Sequence, residues 1–197
     1  MDVTIGPFPL SAAPRVWLWM NDFRWRVADD FGPQTLDEFV EQCMLRSRTE
    51  QQWAVYRDGE ICGFITFEPV NPVSGQAHCL FRKDFWGRGT TETALRLVAR
   101  EIFASGVKKI SMTIFSDNKA IKALLLKLGA RQEGLLRQQT VRGGKPVDMV
   151  VLGLLAEEFE EDRCPGQETS QKAFLEEPAP LQAGSIPEVE LPAAPVP

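Results

Sequence analysis

The sequence predicts one mixed α/β domain over residues 1–156 followed by an acidic, proline-rich tail over residues 157–197, and three observations carry that reading. An Asp58-Gly59 pair stands between two apolar runs, the strongest short hairpin signal in the chain. Two stretches with helical spacing, "TTETALRLVAREIFAS" and "NKAIKALLLKL", each end on a glycine and lead into a strand-like run. Beyond residue 156 the periodic apolar face stops and prolines multiply, each lacking a backbone donor.

The elements follow in order. "SAAPRVWLWMNDFRWRVADD" reads as an apolar-rich helix and then a polar loop. "TLDEFVEQCMLRS" has Thr35 as a cap with Glu38 three residues on, so a second helix is expected there. "QWAVYRDGEICGFITFEPV" is two strands about the Asp58-Gly59 turn, and "GQAHCLF" is a further short strand. A helix from about Thr91 to Ser105 closes at Gly106, "KKISMTIF" is a strand, and a helix over "NKAIKALLLKLG" closes at Gly129. "ARQEGLLRQQTV" and "KPVDMVVLGLL" are expected as paired strands.

With 197 residues, 44% hydrophobic and 25% charged, the composition is that of an ordinary soluble domain. No apolar run reaches the roughly 18–20 residues needed to span a bilayer, and the N-terminus has no basic region followed by an unbroken apolar stretch. No membrane partner is expected. Cys43, Cys62, Cys79 and Cys164 show no CxxC or metal-ligand spacing, and three of them sit in apolar surroundings. A reducing, cytoplasmic setting is expected. With one histidine and scattered cysteines no metal is expected. Lys and Arg are dispersed, so no nucleic acid is expected either. The net charge of −5 hides an asymmetry: residues 157–197 carry −8, which leaves +3 for the body. The tail is read as an extended or disordered solubilising segment, or as one that orders on a protein partner.

The segment "FRKDFWGRGTTETALRLVAREIF" carries the chemistry. A "WGRG" loop between a strand and a helix gathers free backbone N–H groups and the positive end of the helix dipole at one point. Such a point binds phosphate or pyrophosphate, and glycines let the ligand approach closely. Arg82, Lys83 and Arg88 add positive charge. The third glycine of a dinucleotide fingerprint and the Gly-Lys-Ser/Thr of a P-loop are both missing. A tight strand-to-helix turn would use the same glycines.

Trp86, Gly87, Arg88, Gly89, Thr90 and Thr91 resemble the Q/R-x-x-G-x-G/A motif of the GNAT N-acetyltransferase superfamily, and "FWGRGTTETAL" is similar to its ribosomal-protein N-terminal (RimJ/RimL-like) branch. "DNKAIKALLLKLGA" and "EGLLRQQTVRGGKPVDMVVLGLL" resemble two later segments of that family, and "LWMNDFRWR" and "TLDEFVEQC" its opening helices. The likeness covers about residues 10–156 in order.

The resemblance implies the acyl-CoA N-acyltransferase fold, a mixed, mostly antiparallel splayed sheet flanked by helices. It implies acetyl-CoA as co-substrate, without a metal, and direct attack of a primary amine on the thioester. By position, the backbone of Leu80 and Phe81 would meet the pantetheine. The amides from Gly87 through Thr91 (Gly87, Arg88, Gly89, Thr90, Thr91) would hold the pyrophosphate, supported by Arg82 and Arg88. Asn118 would reach the pantetheine or the acetyl end.

His78, on the strand entering the loop, is the expected base, since an imidazole titrates near neutrality. Glu68 is the second candidate, and a packed histidine and a solvated edge carboxylate are the plain alternatives. The family's usual proton-donating Tyr falls at about Leu125 and its occasional Ser at about Ile121; the only tyrosine is Tyr56, and Ser116 is the nearest hydroxyl in sequence. Thr91 also replaces the usual Gly/Ala. Two functions are therefore expected in competition. One is acetylation of a primary amine, on a protein N-terminus or a small molecule. The other is a lapsed member of the fold serving as a binding or structural part of a larger assembly, such as a phage particle, docked through the acidic tail.

Overall fold

The structure, a computed structural model, describes residues 2–159, so the acidic tail lies outside it save for its first three residues. The chain opens with an edge strand, β1 (Val3–Pro7), that pairs antiparallel with β2 (Gln51–Arg57). Sequence reading gave no strand here, because five residues ending in Gly-Pro carry too little alternation to register. A short 3-10 turn then leads into α1 (Ala13–Asp22), which buries Ala13, Val16, Trp19 and Met20 on one stripe. The helix breaks at Phe23, whose φ is −145°, and resumes as α2 (Arg24–Val27). α3 (Leu36–Arg46) starts as expected: the Thr35 hydroxyl accepts from the Glu38 amide at 3.2 Å, and Glu38 reaches back to the Gln34 amide at 2.6 Å.

β2 and β3 (Glu60–Asn71) form the hairpin about Asp58 and Gly59, both at positive φ (52° and 80°), as that tight turn requires. β4 (Ser74–Phe81), α4 (Thr90–Ala104), β5 (Lys109–Phe115) and α5 (Lys119–Lys127) follow, and β6 (Arg131–Arg142) and β7 (Lys145–Leu155) close the chain as a hairpin. The seven strands run β1-β2-β3-β4-β5-β7-β6, antiparallel throughout except for β4 beside β5. That parallel pair is joined only at Ser74–Gln76 with Lys109–Ser111. Past Gln76 and Ser111 the strands part, and the sheet is split toward the C-terminal ends of β4 and β5.

Each face of the sheet has its own core. On one, Val55, Ile65, Phe67 and Leu152 pack with Ala94, Val98 and Ile102 of α4. On the other, α1 and α3 bring Val16, Trp19, Met20, Phe39 and Cys43 together over Phe64 and Leu80. The folded body continues to Phe159, whose ring lies 5.5 Å from that of Phe103, while Glu158 pairs with Arg131 at 3.1 Å. No described helix is long and apolar enough to cross a membrane.

Candidate active site

The split between β4 and β5 sets the site. Arg82 N bonds Cys62 O, and backbone direction alternates along a strand, so the backbone groups of Ala77, Cys79 and Phe81 face the split while those of Leu80 face β3. The edge open to an extended ligand is thus Cys79 and Phe81, with Leu80 contributing its side chain to the wall. The Phe81 carbonyl already accepts the Trp86 indole N–H at 2.9 Å, which fixes the start of the loop.

Gly87 and Gly89 have φ of 69° and 78°, a region that other residues enter only with strain. Nothing lies within 4 Å of where a Cβ would sit on either. Gly89 is the N-cap of α4 and has no side chain to satisfy the first helical amides. Bare amides, a dipole end and open space together make a cradle that fits a pyrophosphate. The cavity in front of it, about 380 Å³, is lined by Arg26, Leu80, Phe81, Gly87, Thr91 and Asn118 among others.

Other expected residues stand elsewhere. Arg82 is engaged by Asp84 at 2.8 Å and by Glu60, so its charge is already met by two carboxylates. Arg88 is exposed beside the glycines. Thr90 lies with its side chain buried and bonded to Arg57, which leaves its backbone amide as the part that can serve a ligand. Asn118 caps α5, its Oδ1 accepting from the Ile121 amide at 3.4 Å.

A second cavity of about 630 Å³ continues through the split, between Gln76, Ala77 and His78 on β4 and Met112 to Phe115 on β5. The segment from Arg26 to Gly32 crosses over it. That segment is clamped to the β6–β7 hairpin: Thr140 Oγ1 donates to Asp29 at 2.7 Å, and the amides of Gly143 and Gly144 both donate to Asp30 at 2.8 Å. A third cavity, about 230 Å³, lies between α3 and the sheet and contains Gln42, Arg46, Gln52, Thr66 and His78.

His78 lines the second and third cavities. Its side chain opens to the cleft yet is walled by protein, and this desolvation, with the nearby Arg46 charge, lowers its pKa against a smaller upward pull from Glu68. Its imidazole is therefore neutral at pH 7 and able to take a proton. Glu68 is exposed on the same sheet face, one rung away, opposite Gln76. Cys79 was expected in apolar packing with Cys43 and Cys62; those two are buried, but Cys79 opens on the cleft, lines all three cavities and has its thiol pushed up to about 11 by desolvation.

The positions of the usual acids are filled by Leu125, which is buried, and by Ile121. Of the four aromatic residues between Trp17 and Trp25, Trp19 and Phe23 are core, Trp17 is half-buried against Phe39, and Trp25 is exposed. Sequence reasoning gave Arg26 and Val27 no role at the site, because Arg26 was read only as part of an opening helix; the break at Phe23 brings both to the lining of the cleft.

A split seven-stranded sheet with a glycine cradle at the start of the following helix forms an open cleft beside an anion-binding turn. Residues 2–131 match the Acetyltransferase (GNAT) domain family, and the chain belongs to it. A curated relative, the uncharacterized N-acetyltransferase YoaA of Bacillus subtilis, is 29% identical over 109 residues, which span 53% of this chain and 62% of that protein. Among solved structures, Mycobacterium smegmatis RimJ in complex with CoA-disulfide superposes with a TM-score of 0.70 at 19% identity, covering 81% of this chain and 84% of that one. The Vibrio cholerae spermidine N-acetyltransferase in complex with CoA and spermine gives 0.70 at 15% identity, covering 80% and 97%. RimL, described as a ribosomal L7/L12 alpha-N-protein acetyltransferase, gives 0.69 at 15%, covering 79% and 94%. These likenesses agree with the expected fold.

Proposed function

We propose that this protein is an acetyl-CoA-dependent N-acetyltransferase of a primary amine. The observation that carries the reading is the continuity of the split: the glycine cradle opens on one cavity and His78 on the next, and both cavities share a wall. Backbone amides from Gly87 through Thr91 hold the pyrophosphate, the β4 edge at Cys79 and Phe81 aligns the pantetheine, and Asn118 Nδ2 steadies its far end. Acetyl-CoA supplies the activated acetyl group. His78, neutral at pH 7, takes the proton from the acceptor amine, and Glu68 draws the cationic amine toward it.

The solved relatives support two acceptor types, a protein N-terminus and a small amine. The free thiols of Cys43, Cys62 and Cys79 suit a cytoplasmic enzyme. A second reading, a binding domain without catalysis docked through residues 157–197, is favoured by Leu125 and Ile121 where a proton donor is usual.

Calorimetric titration of acetyl-CoA separates these. Micromolar affinity abolished by Gly89→Glu, followed by amine acetylation lost in His78→Ala, is the expected result. An amine screen without turnover, despite acetyl-CoA binding, would favour the second reading. Absence of binding to the unmodified chain overturns the first reading and leaves the second, whose partner is then sought through the acidic tail.

A further inference from the structure

The acyltransfer reading leaves one job unassigned. When the amine attacks, the C–N bond forms, the C–S bond breaks, and the bonding pair ends on sulfur while the amine proton passes to His78. The developing thiolate must be met by a proton or a positive charge.

Where that happens follows from the cavities. The reacting carbon must stand where the cofactor side meets the acceptor side. The residues lining both cavities are Arg26, Val27, Cys79, Asn118 and Ile121. No hydroxyl is among them: Thr91 lines only the first of the two and Thr113 only the second. Val27 and Ile121 are apolar, and Asn118 is held as the cap of α5. Arg26 is the one cation at the junction.

Its placement is built. The guanidinium lies 5.1 Å from the Trp25 ring centre and 5.9 Å from that of Trp86. Trp86 is in turn pinned by its bond to Phe81 and by an edge contact with Phe23 at 4.9 Å. Among the described residues no carboxylate lies within ion-pair distance of Arg26, although Asp117, bound by Arg142, feels its charge; Arg82 by contrast binds two carboxylates. A guanidinium keeps its charge at every working pH.

We infer, resting on the acetyltransferase reading, that Arg26 faces the CoA sulfur and holds the leaving thiolate by charge, in the place of the absent tyrosine. The sulfur regains its proton from solvent as CoA leaves, and the proton that His78 took returns to solvent.

The test is the ionisation of CoA bound to the full chain, followed by thiolate ultraviolet absorbance against pH with the desulfo-CoA complex as blank. In the unmodified protein the bound thiol should ionise about tenfold more readily than in Arg26→Gln, with Arg26→Lys between them, as a nearby opposite charge dictates. kcat should fall on the order of a hundredfold in Arg26→Gln, while acetyl-CoA affinity changes by less than about threefold. Arg26 is exposed, so neither variant threatens folding. An identical bound-thiol titration in the unmodified protein and Arg26→Gln overturns the inference alone. So does a large loss of acetyl-CoA affinity with that titration unchanged, since Arg26 would then be a phosphate ligand. Failure of CoA to bind the unmodified chain removes the acetyltransferase reading and this inference with it.

Discussion

Arg57 of β2 and Thr90 of α4 are joined by a buried hydrogen bond from guanidinium to hydroxyl, which ties the glycine cradle to β2, the strand beside the β1 edge. Thr90→Val removes one acceptor of the buried guanidinium, which keeps Asp58 at 3.9 Å. Stability should fall by about 1–3 kcal/mol, read as a lower midpoint in urea unfolding, and acetyl-CoA affinity should weaken with it. Thr90→Ser, which keeps the hydroxyl, should retain most of both.

His78 should set the acid limb of activity below the ordinary histidine range, because burial and Arg46 lower its pKa. Arg46→Gln removes one lowering charge and should move the limb up. Glu68→Gln removes the raising charge and should move it down. Profiles of kcat/KM against pH report the free enzyme, and a limb that ignores both substitutions would remove His78 from the role of base.

Glu50 is buried with its Oε2 unpartnered, 3.6 Å from Arg46 through the other oxygen. Burial raises its pKa first and the charge of Glu68 adds to this, against Arg46 and the facing Thr66 hydroxyl. An acid with a raised folded pKa holds its proton more tightly when folded, so stability is greatest below the usual carboxylate range and declines as pH rises through the folded value. Glu50→Gln should therefore stabilise the protein at pH 7, by on the order of 1 kcal/mol, and flatten that decline. Thermal melts across pH will show it.

Asp30 holds the segment over the second cavity through the Gly144 and Gly143 amides, which lower its pKa. Its contribution is present above the ordinary Asp value and is lost only as pH falls through the lower folded value, so the clamp is closed at neutral pH. Asp30→Ala should raise KM for the amine several-fold and leave acetyl-CoA affinity unchanged. Equal changes in both would mean that the segment serves the cofactor instead.

Local signals made most of the architecture legible. Caps, turn residues and apolar spacing act within a few positions, so Thr35, Asp58-Gly59, Gly106 and Gly129 mark their elements without reference to the rest of the chain. The glycines of the cradle were readable for the same reason, since their positive φ is a property of the loop itself. β1 was not, because its stability comes from pairing with β2, some fifty residues away.

Chain order, element type, the glycine loop and the identity of the one histidine belong to the sequence, because each depends on near neighbours. Which charges remain available, and which side chains meet across the split, depends on partners far apart in the chain. Folding gives Arg82 to Glu60 and Asp84, opens Cys79 to the cleft, and turns Arg26 toward the junction of two cavities. No motif encodes those outcomes: they come from where β4 and β5 stop pairing and where α1 breaks at Phe23.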